Sequence, residues 1–126
     1  MTKILIVDDH SDIRKLIRMT LEFDGYEIHE AVDGEGALQV AAACRPDLVL
    51  LDVMMPGAFD GLECCRRLKA DPVLRHAHVM LLSARGQARD REAGLLAGAE
   101  GYLVKPFSPL QLIDCIAALC ASTEGR

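Results

Sequence analysis

The sequence predicts an α/β fold: five parallel strands in one sheet, with helices over both faces. Three observations lead there. Five short apolar runs alternate with segments of helical spacing. The runs are "KILIVD" (3–8), "YEIHEA" (26–31), "DLVLLD" (47–52), "HVMLLS" (78–83) and "GYLVK" (101–105). Several are continuously apolar, the pattern of strands buried on both faces of a parallel sheet. The connections are short, with no linker, repeat or low-complexity tract.

Each helix follows from its own residues. Ser11 suits the cap of a first helix carrying Ile13, Leu16, Ile17 and Leu21 on one face, and Gly25 suits its end. "GEGALQVAAAC" gives a second helix, closed by Arg45-Pro46. Asp60, with Glu63 three residues later, has the form of a capping box for a third helix carrying Leu62 and Leu68. A fourth spans about residues 88–97. It contains Gly94, which costs about 1 kcal/mol relative to alanine, so this helix is expected to be marginal and able to shift. Ser108 and Pro109 sit at the cap and first turn of a fifth, continued by Leu112, Ile113, Ile116 and Leu119. We read residues 1–126 as a single domain, with 122–126 a short tail.

Composition narrows the function. The net charge of −5, without a basic block, argues against nucleic acid as the main partner. The apolar run before Asp8 and Asp9 is too short for a signal peptide, and nothing approaches the roughly 18 apolar residues of a membrane span. The expected location is cytoplasmic. Cys44, Cys64, Cys65, Cys115 and Cys120 are odd in number and lack C-x-x-C spacing, so they read as reduced thiols used as small apolar side chains.

In such a sheet, ligands bind at the carboxyl ends of the strands. The first strand ends in Asp8-Asp9, the third in Asp52, the fourth in Ser83 and the fifth in Lys105. Three carboxylates gathered at one edge repel: at about 5 Å and an effective dielectric of about 20, each like pair costs on the order of 3 kcal/mol. A divalent cation removes that cost, and an all-oxygen donor set suits Mg²⁺. Magnesium beside a carboxylate, an ammonium and a hydroxyl is the equipment of phosphoryl transfer, in which a carboxylate can become an aspartyl phosphate. His10, next to the acids, reads as a solvated residue at a helix start. His29, His76 and His78 have no ligand spacing.

"VDDH" after the first strand, "LDVMMPGAFDGLE" after the third, "LLSARG" after the fourth and "GAEGYLVKPF" around the fifth resemble the receiver domain of two-component response regulators, in order and over essentially the whole chain. The resemblance implies a flavodoxin-like doubly wound sheet of order 2-1-3-4-5. It implies that Asp52 is the phosphoacceptor, supplied by a sensor histidine kinase or a histidine phosphotransfer protein. Asp9, Asp52 and the Met54 backbone carbonyl would hold Mg²⁺ (or Mn²⁺) directly, with Asp8 acting partly through water. Lys105, Ser83 and the Ala84 backbone would hold the phosphoryl group. Ser83 and Tyr102 would move together as the switch, and Lys105-Pro106 would be a cis peptide. The face formed by the fourth helix, fifth strand and fifth helix would then bind an unidentified downstream protein, or the phosphate would pass onward.

The chain departs from the family pattern in three places. The loop between Asp52 and Asp60-Gly61 carries one extra residue, which should leave the acceptor intact. The positions two past the acceptor and two past the serine, Met54 and Arg85, are expected to tune phosphoryl lifetime, and Met54 cannot position a water. Gly101, Gln111 and Cys115 stand where receivers that dimerise through this face carry charges, so a monomer or weak dimer is expected.

The resemblance implies a switch rather than an enzyme. Aspartate-nucleophile phosphatases place a second acid two residues after the first, whereas Asp52 is followed by Val53 and Met54. G-x-x-x-x-G-K-[ST] is missing, which excludes a P-loop nucleotide hydrolase. The alternative is an interaction module that keeps the fold and ignores phosphate.

Overall fold

A computed structural model describes residues 2–124. The strands are β1 (Lys3–Val7), β2 (Glu27–Ala31), β3 (Leu48–Asp52), β4 (His78–Ser83) and β5 (Gly101–Val104). The helices are α1 (Ser11–Leu21), α2 (Gly34–Cys44), α3 (Gly61–Ala70), α4 (Ala88–Leu96) and α5 (Pro109–Glu124). All neighbouring strands are parallel, in the order β2-β1-β3-β4-β5. This is the doubly wound sheet implied by the sequence. Every strand found was expected, with ends trimmed by at most one residue.

Alternation along the strands builds two cores. Leu5, Val7, Val49, Leu51, Val79 and Leu81 point to one layer, where they meet Ala37 and Ala41 of α2 and Cys64, Cys65 and Leu68 of α3. Ile4, Ile6, Leu48, Leu50, Met80 and Leu82 point to the other, against Ile17 and Leu21 of α1 and Leu112 and Ile116 of α5. A continuous apolar run is therefore required, because each successive side chain enters a different core. Burial pushes the Cys64 thiol up to about 12 and the Cys65 thiol up to about 11, as expected of packing groups. Cys44 and Cys115 are also free, and the Cys120 side chain lies outside the described residues.

Several helix ends differ from expectation. The helix α1 starts at Ser11 itself, and His10 holds the cap position with extended backbone. The reason is local: Asp8 Oδ1 accepts the His10 N–H at 2.9 Å, turning the chain into the helix one residue early. Its last turn continues as a tight 3-10 turn, Glu22–Asp24, before Gly25 at φ 76°. Asp60 does accept the Glu63 N–H at 3.0 Å, but the Glu63 carboxylate pairs with Arg66 and Arg67 rather than completing the box. The reciprocal box forms instead at α5, where Ser108 Oγ accepts the Gln111 N–H and Gln111 Oε1 accepts the Ser108 N–H. The helix α5 runs on through Glu124, so the tail expected at 122–126 is helical up to that point, and residues 125 and 126 lie outside the described residues.

Gly94 has a packing reason that propensity alone does not show. A Cβ there would come within 2.9 Å of Leu81 Cδ1 and 3.2 Å of Tyr102 Cδ2, so glycine lets α4 lie close on the sheet. The rest of α4 is thinly held: Gly94 is its one buried residue, and Leu95 and Leu96 are exposed.

Candidate functional site

The carboxyl ends of β1, β3, β4 and β5 bring Asp8, Asp52, Ser83 and Lys105 to one edge. Asp8, Asp52 and Ser83 are 0 %, 2 % and 1 % exposed, the buried polar residues of an otherwise apolar interior. Asp9 and His10 stand at the surface beside them. The Lys105 ammonium donates to Asp8 Oδ2 at 2.8 Å and lies 3.4 Å from Asp52 Oδ1. Asp52 Oδ1 also accepts the Met54 N–H at 3.3 Å. Asp52 Oδ2, although buried, meets no hydrogen-bond donor among the described residues.

These contacts separate the two buried acids electrostatically. Burial pushes the Asp8 carboxyl up. Hydrogen bonds from Lys105, and then from the His10 backbone and ring, outweigh it and hold Asp8 below its usual range. Burial, joined by the Asp8 charge, pushes Asp52 up, and Lys105 only partly opposes this. Burial works against the Lys105 charge too, yet the Asp8 bond and the Asp52 charge raise its pKa overall. Asp52 is thus the carboxylate whose charge is least compensated.

Ser83 Oγ accepts the Arg85 N–H at 3.0 Å. The Tyr102 hydroxyl donates to the Arg85 carbonyl at 2.6 Å, and the Arg91 guanidinium lies 5.4 Å from its ring centre. Ser83, at the end of β4, and Tyr102, in β5, therefore both hold Arg85 of the β4-to-α4 loop, and with Val53 and Met54 the three line a small cavity of about 90 Å³. Met54 is half exposed above it, and Ala84 and Arg85 are exposed. The Lys105–Pro106 peptide is cis.

The loop after Asp52 is held against neighbouring elements through Phe59. Phe59 packs on Gly34 so closely that a Cβ there would overlap its ring, and the Arg67 guanidinium stacks over the same ring at 4.0 Å.

Sequence reasoning missed two contributors. His10 is not simply a solvated helix start: its Nδ1 lies 2.8 Å from Asp8 Oδ1 and 3.4 Å from Asp9 Oδ1. Its position next to the acids was the available signal. Arg14, one turn further on, donates from Nη1 to the Asp8 carbonyl at 2.9 Å and from Nε to Glu30 at 2.9 Å. No sequence pattern pointed to that tie between β2, α1 and the acidic turn.

The donor set fits a divalent cation. Asp8, Asp9, His10 and Asp52 each offer a ligand atom, all within 4.8 Å of one another. Three carboxylates, one carrying an unpartnered buried oxygen, provide the hard oxygen ligands that Mg²⁺ takes.

Comparison with known proteins accounts for this arrangement. The family model for the response regulator receiver domain matches residues 4–117. The chain is 44% identical over 121 residues to the transcriptional regulatory protein ResD of Bacillus subtilis (strain 168), covering 94% of this chain and 48% of that protein. It is 42% identical over 120 residues to the phosphate regulon transcriptional regulatory protein PhoB of Pseudomonas aeruginosa, covering 95% and 52%. The chain thus spans about half the length of these curated relatives. Among solved structures, the chemotaxis protein CheY4 of Vibrio cholerae superposes with a TM-score of 0.88 at 33% identity, covering 94% of this chain and 98% of that one. The chain belongs to the response regulator receiver domain family. It is a signalling domain of the two-component type, with phosphoaspartate and Mg²⁺ as family features. No described helix is long and apolar enough to cross a membrane.

Proposed function

We propose that residues 1–126 act as one phosphorylation-controlled receiver unit in the cytoplasm, with Asp52 accepting a phosphoryl group from the phosphohistidine of a sensor kinase or phosphotransfer protein. The observation that carries this reading is Asp52 itself. It is a buried carboxylate with a raised pKa, placed between an ammonium and two further acids.

In the transfer, a carboxylate oxygen of Asp52 forms a bond to phosphorus as the bond from phosphorus to the donor imidazole nitrogen breaks. The bonding pair leaves on that nitrogen, which then takes a proton. Asp52 Oδ1 is the oxygen that would place the new phosphoryl group against Lys105. Asp9, Asp52 and the Met54 carbonyl would hold Mg²⁺ (or Mn²⁺), with Asp8 acting through water; bound there, the ion would neutralise charge on the phosphoryl oxygens. The Ser83 hydroxyl and the Ala84 backbone would receive the remaining phosphoryl oxygens.

If Ser83 moves toward the phosphoryl group, its bond from the Arg85 N–H would be strained or lost. The Arg85 carbonyl is what the Tyr102 hydroxyl holds, so rearranging this loop releases the tyrosine. The thinly packed α4 lies next to it. Phosphorylation would then bias two packings of α4, β5 and α5 and so alter partner binding, as a population shift. The same face would bind a downstream protein or let phosphate pass onward, and the chain is proposed to be a monomer or weak dimer.

The test is intact mass after incubation with a small phosphodonor and Mg²⁺. Wild type is expected to gain one phosphoryl group and Asp52→Ala none. An adduct on both proteins would remove Asp52 from its role. No adduct on either, together with no Mg²⁺ binding, would favour a module that ignores phosphate.

Met54 and Arg85 would set the lifetime. Met54, half exposed over the acceptor, presents an apolar face where an attacking water must be oriented. Met54→Asn is expected to speed loss of the phosphoryl group several-fold, read by mass over time. An unchanged decay rate would refute that role.

A further inference from the structure

We propose that His10 is a nitrogen ligand of the metal site, so that this receiver favours a borderline transition-metal ion, such as Mn²⁺ or Ni²⁺, more strongly than a purely oxygen-lined site would. The inference rests on the reading of Asp8, Asp9 and Asp52 as a divalent cation site and adds a residue to it.

Two independent observations carry it. The first is geometric. His10 Nδ1 lies 2.8 Å from Asp8 Oδ1 and 3.4 Å from Asp9 Oδ1, and a ligand atom from each of Asp8, Asp9, His10 and Asp52 falls within 4.8 Å of the others. In the metal-free chain Nδ1 donates its proton to Asp8, and an incoming ion would take the place of that proton, which is released to water. Ligands about 2.1 Å from one octahedral ion are about 3 Å apart when adjacent and about 4.2 Å apart when opposite. The separations of 2.8 and 3.4 Å are near the adjacent spacing, while the outer limit of 4.8 Å exceeds the opposite one, so His10, Asp9 and Asp52 must draw inward to share one ion, with Asp8 held through water. The second is the buried Asp52 Oδ2, which meets no donor among the described residues. A buried carboxylate oxygen without a donor calls for a cation. The His10 backbone is held at the cap position of α1 by its N–H on Asp8 Oδ1, and the ring is turned onto the acids by its own contact with Asp8.

The chemical consequence is selectivity. Mg²⁺ is hard and prefers carboxylates, carbonyls and water, whereas imidazole suits Ni²⁺ and its neighbours. Nitrogen at one position leaves Mg²⁺ little changed, since water can take that place. It strengthens the transition-metal ion, and more so from Mn²⁺ towards Ni²⁺ along the order of intrinsic affinity.

The experiment compares wild type with His10→Ala and His10→Asn. Affinities for Mg²⁺, Mn²⁺ and Ni²⁺ are measured by titration calorimetry, and the Mn²⁺ form is examined by pulsed electron paramagnetic resonance for coupling to a directly bound imidazole nitrogen. Wild type is expected to show that coupling and both variants to lose it. Loss of an outer partner of a metal ligand typically costs about tenfold in affinity or more, so loss of a direct one should weaken Ni²⁺ at least as much. Mg²⁺ affinity should stay within about twofold. The asparagine variant keeps a polar side chain, so a loss caused merely by disturbing the Asp8 turn would appear in alanine and not in asparagine, and in Mg²⁺ as much as in Ni²⁺. Normal metal binding without nitrogen coupling, or equal losses for all three ions, overturns the role of His10. No divalent ion binding in any protein overturns the underlying site as well.

Discussion

Gly61→Ala is expected to lower the stability of the chain by about 3 kcal/mol or more and to reduce phosphoryl uptake in whatever fraction remains folded. Gly61 opens α3 immediately after its cap, Asp60, and donates its N–H to the Val53 carbonyl at 2.9 Å. That bond lays the start of the helix directly on the end of β3. A Cβ at this position would overlap the Asp52 carbonyl oxygen and come within 2.7 Å of Val53 Cα and 2.8 Å of the Asp52 carbonyl carbon. All three are backbone atoms, so no side chain can rotate away. Either the helix lifts, losing the packing of Cys64, Cys65 and Leu68 in the core, or the strand end carrying Asp52 moves. Gly25→Ala is the control. It has open space around the new methyl but a φ of 76°, so only the left-handed backbone penalty of about 1–2 kcal/mol should appear. Urea unfolding of both variants checks the difference. If Gly61→Ala unfolds like wild type, the close approach of α3 to the acceptor strand is not as described.

The contrast between these glycines shows how much was legible in the sequence. The sheet was readable because each strand serves two cores, which forces runs such as "ILIV" and "LVLL" that no surface segment needs. The site was readable because a parallel sheet sends its strand ends to one edge, so Asp8, Asp52, Ser83 and Lys105 could be grouped without coordinates. Interactions between side chains from different elements were not readable. Nothing in "VDDHSD" says that the His10 ring turns back onto Asp8 and Asp9, because that depends on a rotamer and on one backbone turn. Glu100 likewise reads as a loop acid, yet its carboxylate accepts the Val79 N–H and an ion pair from Lys69, which also donates to the Ala77 carbonyl. That contact ties α3 to the opposite edge of the sheet. Gly94 was read as a weakness of α4, when the close approach of Leu81 and Tyr102 is what requires it. Propensity describes one element at a time, and these three depend on a neighbour.

The second large effect concerns Lys105. Lys105→Met is expected to destabilise the metal-free protein by about 2–3 kcal/mol at neutral pH, somewhat less than loss of a fully buried partner because the ammonium retains some solvent contact. The lysine is the cation nearest to both buried acids, at 2.8 Å from Asp8 and 3.4 Å from Asp52. Removing it leaves Asp8 fully buried with only the His10 groups as donors, and leaves the already uncompensated Asp52 worse placed. The pH dependence follows from the direction of each shift. Asp8 is held below its usual range in the folded state, so its contribution is present above the ordinary carboxylate pKa and is lost as pH falls through the folded value. Lys105 is raised, so its contribution is present below its ordinary value and is lost only in strong alkali. Both are in force at neutral pH. In the variant, burial acts on Asp8 without the ammonium, so Asp8 protonates at higher pH and the penalty is relieved sooner on acidification. The stability gap between wild type and Lys105→Met should therefore be widest near neutral pH and close as pH falls through the carboxylate range. Adding Asp8→Asn to the variant should recover much of the loss, because the carboxylate left without its cation is then gone. Chemical unfolding with a chelator present, at neutral and acid pH, measures all of this. A gap that does not change with pH would mean that Lys105 contributes by packing its methylene chain rather than by charge, and the pairing of Lys105 with Asp8 would not be what holds the strand ends of β1 and β5 together.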